Sequence, residues 1–455
     1  MARINSLRPV GYMLRIQDLA VTARTSQVLH DASSSSFLSR SRHWIPVAIF
    51  AASMIVTVGF WKVLPSSFRL NEGSDYLNGY EPIARNVIAG HGFTLEPGTP
   101  ETGYSPGYPL ILAGIFNASR WLGVSEDVSL SVFAVICMAL VSMFVFLLSR
   151  MLWGVLPALV SAAIWMTYPF ALWLTKQPNS ELPFMVVLYG GLCLFWYALS
   201  RRLPAPVYFL CGLVFGLAML IRPIAIGIGL VLAAIVWLTR RELGRRVRLL
   251  MIVMLLLGNV LAVAPWETWV YAKTGNVILL STNGVSSIYD GLMFGVETKG
   301  YRQEISVSSD VVQVMNDIRV HEHETSTVGN IPPIVFREFQ SHPTAVTKLL
   351  LLKLARSWYG TDSQRWEGPI LFIQLIYLAL VAWGGWSAWK RGGLQRKFVI
   401  GALLLTLYFW GMTFMVLSIL RYMVPVVGLL FVLIGGCYPL TLRSKTKTAM
   451  EPAAN

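Results

Sequence analysis

Ten apolar runs, each bounded by charged or turn residues, alternate with polar stretches along the chain. They cover roughly 44–65, 128–149, 155–175, 181–199, 205–221, 223–238, 249–271, 369–389, 398–418 and 422–442. Most approach the ~20 residues that cross a hydrocarbon core of about 30 Å at 1.5 Å per residue. The pattern therefore predicts about ten transmembrane helices. Two short runs meet at Arg222-Pro223 with almost no loop between them. Ahead of the first run, residues 1–43 are polar, with scattered arginines and a serine run at 33–36, and read as a disordered tail. The first run is too long and too far from the start for a cleaved signal, so an uncleaved anchor is expected.

Composition narrows the class. The chain has 455 residues, 55% hydrophobic and only 13% charged, against about 25% charged in soluble domains. A water-soluble enzyme, a disordered chain and a nucleic-acid-binding domain are excluded as readings of the whole chain. An all-α polytopic membrane protein remains. Charge then orients it. With an even number of spans and the N-terminus inside, the inner segments hold 21 of the 37 Lys and Arg residues and 4 of the 23 acids. Every short inner loop is basic, as the positive-inside rule requires. The expected organisation is a cytoplasmic tail (1–43), a transmembrane core (44–271) with a first outer loop (66–127), a second outer segment (272–368), C-terminal spans (369–442) and a cytoplasmic tail (443–455).

The two outer segments carry amphipathic stretches. In the first, a helical pattern over 75–89 leads to a turn cluster and then to an apolar stretch, 109–122, too short for a span. In the second, residues 345–358 place Lys348, Lys353 and Arg356 among leucines. Both stretches are expected to be helices lying on the membrane surface. Cys137, Cys193, Cys211 and Cys437 all fall inside apolar runs without metal-ligand spacing, which predicts free thiols. No internal repeat is visible, which disfavours transporters built from duplicated halves.

The spans are nearly free of ionisable groups. Lys62, Lys176, Glu181, Arg222, Glu267 and Arg421 stand at outer helix ends, where charge costs less than at mid-membrane depth. This distribution points to chemistry at the membrane–water boundary. His321-Glu322-His323-Glu324 has weak metal-site spacing and reads as a solvated loop. His91, between two glycines, reads as a turn residue. The tryptophans mostly suit interfacial belts, with Trp266 and Trp358, near the outer surface, as candidates to stack on a sugar.

A set of motifs runs in order from about residue 70 to 435. Asp75 follows the first span and opens a helix that ends in Ala84-Arg85-Asn86-Val87-Ile88-Ala89-Gly90-His91-Gly92-Phe93. Next come Tyr104-Ser105-Pro106-Gly107-Tyr108-Pro109-Leu110, Asn179-Ser180-Glu181-Leu182-Pro183-Phe184 and Leu220-Ile221-Arg222-Pro223. Ala264-Pro265-Trp266, then Gly275-Asn276, and Leu420-Arg421-Tyr422-Met423-Val424-Pro425 complete the series. The series resembles bacterial GT-C glycosyltransferases, the branch similar to protein O-mannosyltransferases and the lipid A aminoarabinose transferase. It departs from that family in three places: Asp75 has no adjacent acid, Tyr104-Ser105 stands where close relatives have Lys or His, and Glu267-Thr268 breaks the family's "P-W-x-x-R-N".

The resemblance implies a GT-C-like fold in a bacterial inner membrane, both termini cytoplasmic and the site extracytoplasmic. It implies inverting transfer of a hexose or pentose from a polyprenyl-phosphate carrier to a hydroxyl on a lipid, glycan or protein, with membrane lipids around it and no nucleic acid. It names no certain cofactor and leaves a divalent cation open. Such a reaction needs a carboxylate to take the acceptor's proton and cations to hold the leaving phosphate. Asp75 is the candidate base, although it equally suits a cap on the helix beginning at Tyr76. Arg222 and Arg421 are candidates for the phosphate, with Tyr422 adding a hydroxyl; either arginine could instead mark a helix end. Lys176 has the same reading, more weakly. Glu181 is a candidate to orient sugar or acceptor, or simply an acid suited to a helix start. Arg85, on the Asp75 helix, faces either the cleft or solvent. A flippase of a lipid-linked sugar and a non-catalytic scaffold are the competing classes.

Overall fold

The computed structural model describes residues 44–65, 73, 75–96, 98–293, 307–321 and 328–438. The expected tails lie outside these residues, as do Asn71, Glu72, Ser74 and Glu322-His323-Glu324. In chain order the α-helices are α1 (Ile45–Val63), α2 (Glu81–Ile88), α3 (Gly107–Leu122), α4 (Glu126–Trp153), α5 (Val155–Met166), α6 (Pro169–Leu174), α7 (Glu181–Arg201), α8 (Ala205–Ile221) and α9 (Ile228–Thr239). They continue as α10 (Arg245–Thr274), α11 (Gly284–Met293), α12 (Ser309–Val320), α13 (Ile331–Ser341), α14 (Pro343–Arg356), α15 (Glu367–Arg391), α16 (Gly393–Met415) and α17 (Leu420–Ile434). Among the described residues no strand forms; Thr94 and Pro100 make one isolated bridge.

Every predicted apolar run is helical, but the runs are not equivalent. Among the described residues seven helices are long and apolar enough to cross a membrane: α1, α4, α7, α10, α15, α16 and α17 with the turn that follows it. The segments Val155–Met166, Ala205–Ile221 and Pro223–Thr239 are shorter. The run 155–175 is split where Pro169 starts α6, because a proline ring cannot continue the preceding helix. The run from 223 begins as a single 3-10 turn, Pro223–Ala225. The helix α10 outruns its apolar pattern at both ends, beginning at Arg245 and stopping only at Gly275 (φ 70°). Backbone hydrogen bonding continues into the charged flanks, where hydropathy gives no signal.

Close packing accounts for the bundle. The helices α8 and α10 make the most intimate pair: a Cβ at Gly212 would lie 2.0 Å from the Leu255 carbonyl oxygen, and one at Gly258 would lie 2.1 Å from that of Phe209. Small residues let the two backbones approach as packing in lipid demands. Buried hydroxyls pair across helices, as Ser53 does with Ser142 at 2.8 Å and Ser149 with Ser161 at 3.1 Å. Tyr189 donates to the Pro425 carbonyl at 2.8 Å. The four cysteines are free thiols.

The expected amphipathic stretches are helices. Tyr108, Leu112 and Phe116 of α3 are buried while Leu110, Trp121 and Leu122 are exposed. The stretch at 345–358 forms α14 but does not present its basic residues to solvent, as its pattern had suggested. Lys348 is exposed and pairs with Asp310 at 2.7 Å, whereas Lys353 and Arg356 are buried. Arg356 makes a two-pronged pair with Glu367, at 2.7 and 3.2 Å. The Lys353 ammonium donates to Gly291 O at 2.6 Å and Val416 O at 3.0 Å. These contacts clamp α14 between α11 and the segment leading into α17. The helices α11–α14 enclose a small second core of Val311, Val314, Met315, Ile318, Ile331 and Val346.

Burial pushes the Lys353 amine down to about 7, with Arg356 adding to the shift. An unfolded lysine keeps its proton to about pH 10.4. Between these values the unfolded chain holds more protons than the folded one, so stability should rise from about pH 7 toward pH 10. Thermal melts across that window should show the rise in the wild type and lose it in Lys353→Met. A wild-type melting temperature that stays level or falls from pH 7 to 9 would contradict this assignment.

Candidate functional site

The site begins with the helix that opens at Asp75. Its first residues, Tyr76–Tyr80, form a π-helical turn before α2, a rare geometry that recurs at functional sites. Asp75 caps nothing with its side chain. Its carboxylate instead faces Arg421 Nη2 at 3.9 Å and is 58% exposed.

A turn then fixes the end of α8. Gly107 sits where an added Cβ would be 2.7 Å from the Leu220 carbonyl oxygen, and Ser105 Oγ donates to Ile221 O at 3.3 Å. The Ser105-Pro106-Gly107 turn is thus seated on the two residues before Arg222. Arg222 leaves the helix in an extended conformation. Its guanidinium donates to Ser180 Oγ at 3.0 Å and pairs with Glu181 Oε2 at 2.8 Å. Tyr80 stands beside Ser180 and closes this side. Tyr104 packs edge-on to Tyr80, ring centroids 5.1 Å apart, and burial pushes its hydroxyl up to about 12.

Arg421, at the start of α17, is the hub. Its Nε donates to Glu181 Oε1. Its two terminal nitrogens each stand 3.9 Å from a second carboxylate, Asp75 on one side and Asp362 on the other. Tyr422 lies under both guanidinium groups, its ring centre 5.1 Å from Arg222 and 5.6 Å from Arg421. The loop bearing Asp362 is held by Gly360, whose carbonyl accepts from Leu420 N at 2.9 Å. A Cβ on Gly360 would meet the Ser418 carbonyl oxygen at 2.7 Å.

Burial is graded. Glu181 is 1% exposed at the floor, the arginines lie between, and Asp75 and Asp362 stand open at the rim. At 3.9 Å, Asp75 and Asp362 are too distant to hydrogen-bond Arg421. Its two terminal nitrogens thus stand near two exposed carboxylates without hydrogen-bonding either. Such an arrangement can hold an anionic oxygen at the arginines and accept a proton at a rim carboxylate.

Asp75, Glu181, Arg222, Arg421 and Tyr422 are thus brought together. Arg85 is not with them: it pairs with Glu81 at 2.6 Å and Glu126 at 2.8 Å, and its guanidinium lies 4.9 Å from the Phe116 ring centre. The Lys176 ammonium sits 3.6 Å over the Trp173 ring, and burial lowers its pKa. Glu267, which breaks the family motif, accepts from Leu280 N at 2.9 Å, while Trp266 Nε1 donates to Leu280 O at 3.2 Å. Both anchor the stretch after α10, which in turn meets the first outer loop where Ser281 donates to Gly103 O at 2.6 Å. Asp362, Tyr80, Tyr104 and Ser180 join the site although the sequence reading gave them no role there. Ser180 was visible beside Glu181, but the lone Asp362 carried no motif. For a metal, the grouping of three ligand-type side chains among the described residues is elsewhere, at Asp317, Glu338 and His342.

Comparison with known proteins bears on the same elements. Residues 105–269 match the family described as dolichyl-phosphate-mannose-protein mannosyltransferase. The match takes in Glu181 and Arg222 but ends before Asp362 and Arg421. No curated protein sequence matches the chain. Among solved structures, the fold is similar to that of the archaeal oligosaccharyltransferase AglB from Archaeoglobus fulgidus, in complex with an inhibitory peptide and a dolichol-phosphate. The TM-score is 0.51 at 12% identity, over 91% of this chain and 53% of that one. The chain spans about half the length of AglB. Residues 105–269 thus resemble a mannosyltransferase family, and they sit within a helical membrane fold similar to that of AglB.

Proposed function

We propose that the protein transfers a sugar from a polyprenyl-phosphate carrier to an acceptor hydroxyl at the extracytoplasmic surface of the membrane, with inversion at the anomeric carbon. The observation that carries this reading is Arg421, placed between a buried carboxylate and two exposed ones. The carrier's phosphate docks on the outer N–H groups of Arg421, with Arg222 adding positive potential from behind. The acceptor oxygen attacks the anomeric carbon as the bond from that carbon to the phosphate oxygen breaks. The electron pair leaves with the phosphate, whose growing charge the guanidinium groups stabilise. The acceptor's proton passes to Asp75 as the new bond forms. Glu181 serves as the counter-ion that fixes both arginines rather than as a sugar ligand, because it is fully enclosed.

Several features support the direction and the donor. The basic inner loops favour cytoplasmic termini, with the cluster on the opposite side. AglB was solved with an inhibitory peptide and a dolichol-phosphate, the latter a lipid phosphate of the kind this site would suit. Hexose or pentose, and lipid, glycan or protein acceptor, are alternatives that the transfer product itself distinguishes.

Polyprenyl phosphate binding to the purified protein tests the docking role. Arg421→Lys keeps the charge beside Glu181 but loses the planar fork. It should weaken binding ~10-fold or more, a loss of about 1.4 kcal/mol, with a smaller loss of melting temperature than Arg421→Ala. Unchanged affinity in Arg421→Lys would remove the arginine from the donor site.

A further inference from the structure

We propose that Asp317, Glu338 and His342 form a divalent-cation site in the small outer subdomain, selective for zinc over magnesium. Asp317 lies on α12, Glu338 on α13 and His342 at the junction of α13 and α14. Their ligand atoms, two carboxylate oxygens and an imidazole nitrogen, all lie within 4.8 Å of one another. Three ligands at tetrahedral zinc, with bonds of about 2.1 Å, stand about 3.4 Å apart. Closing by roughly an ångström around an ion therefore completes the set.

A second observation points to a ligand. Glu338 is 7% exposed, and among the described residues no hydrogen bond or ion pair engages its carboxylate. The Asp317 carboxylate stands beside it, so the two acids offer a divalent ion two anionic oxygens in one place. Neighbouring cations are committed elsewhere: Lys348 to Asp310, and Arg337 toward His321 at 3.5 Å. A divalent ion at this point neutralises both acids and uses the imidazole as its nitrogen donor. One His with two carboxylates is a donor set suited to zinc, whereas magnesium prefers oxygen ligands and retained water.

The location gives the ion a purpose. The subdomain core of α11–α14 is small, and small cores gain from a metal staple. The site fastens α12 to the α13–α14 corner. From that corner α14 runs 14 residues to Arg356, about 21 Å of helix. Lys353 and the Arg356–Glu367 pair then tie its far end to the segments bearing Asp362 and Arg421. The ion's place is thus at the outer end of a strut whose inner end braces the candidate active site.

The test uses the full-length protein in detergent, stripped with EDTA and dialysed against Zn2+, Mn2+ or Mg2+ in parallel. Metal content is read by elemental mass spectrometry and stability by thermal melting. One zinc per chain is expected, with a rise in melting temperature on zinc addition. Asp317→Asn and His342→Ala, both at partly exposed positions, should each weaken zinc uptake ~10-fold or more and abolish the zinc-dependent rise. Their unstripped helical content should stay native by circular dichroism. Asp75→Asn should bind zinc like the wild type, which separates this site from the arginine cluster. A wild type that takes up no zinc, uptake unaffected by Asp317→Asn and His342→Ala, or uptake lost in Asp75→Asn would each overturn the proposal.

Discussion

Asp75→Asn should reduce sugar transfer by about 10²–10⁴-fold, the range set by removal of a positioned general base. Expression, membrane insertion and melting temperature should remain close to wild type. The substitution keeps the side chain's size, and the side chain makes no helix cap that could be lost. The neighbouring pair with Arg421 is a long 3.9 Å contact with Asp75 more than half exposed, and such pairs contribute little to stability. A large loss of rate on an unchanged fold is therefore the expected signature of a base. The comparison that gives the result its meaning is Asp362→Asn, the other rim carboxylate at the same distance from Arg421. Full activity in Asp75→Asn together with loss in Asp362→Asn would transfer the role to Asp362. Full activity in both would leave the acceptor's proton without a protein base.

Glu181→Gln should be the most damaging single change to stability. Glu181 is 1% exposed and is engaged by both Arg222 and Arg421. Removing one member of a buried ion-pair network leaves uncompensated charge, at a cost of about 3–5 kcal/mol. Here the two guanidinium groups would also face each other across a neutral amide. The loss should show as a lowered thermal midpoint in detergent and a lower yield of folded protein. Replacing Glu181 and Arg222 together, as Glu181→Gln/Arg222→Met, should cost less than the two single changes added, because the second change removes a charge that the first has stranded. A Glu181→Gln protein that melts with the wild type would show that the arginines do not depend on this carboxylate, and the floor of the site would need another explanation.

How far the sequence exposed this arrangement differs from residue to residue. Hydropathy revealed the long apolar helices, because lipid leaves the backbone few alternatives to helix, but it gave no sign of α11–α13, whose buried faces form the small second core. It misjudged ends such as those of α10, where hydrogen bonding runs on past the apolar stretch. Asp75, Glu181, Arg222 and Arg421 lie up to 346 positions apart, and motif order and a shared side of the membrane were enough to associate them. Asp362 was illegible. It is a lone acid in a loop, carried to Arg421 by backbone contacts of Gly360 with Ser418 and Leu420 that no periodicity encodes. Arg85 was open to a simpler reading, since Glu81 precedes it by four residues and forms the local helix pair. In α14, burial of Lys353 and Arg356 depends on carbonyls and an acid supplied by distant segments, so local amphipathicity pointed the wrong way. Glu338 and His342 carried a weak signal in their spacing of four, but the third member, Asp317, comes from another helix.

The central claim is that the carboxylates around Arg421 serve the making of a glycosidic bond. Incubation of the purified protein with a labelled polyprenyl-phosphate sugar and membrane extract, followed by isolation of the labelled product, tests it most directly. The expected result is a new labelled acceptor whose sugar has the anomeric configuration opposite to the donor's, formed together with free polyprenyl phosphate. Movement of the intact lipid-linked sugar across proteoliposomes with no new glycosidic bond would contradict the account.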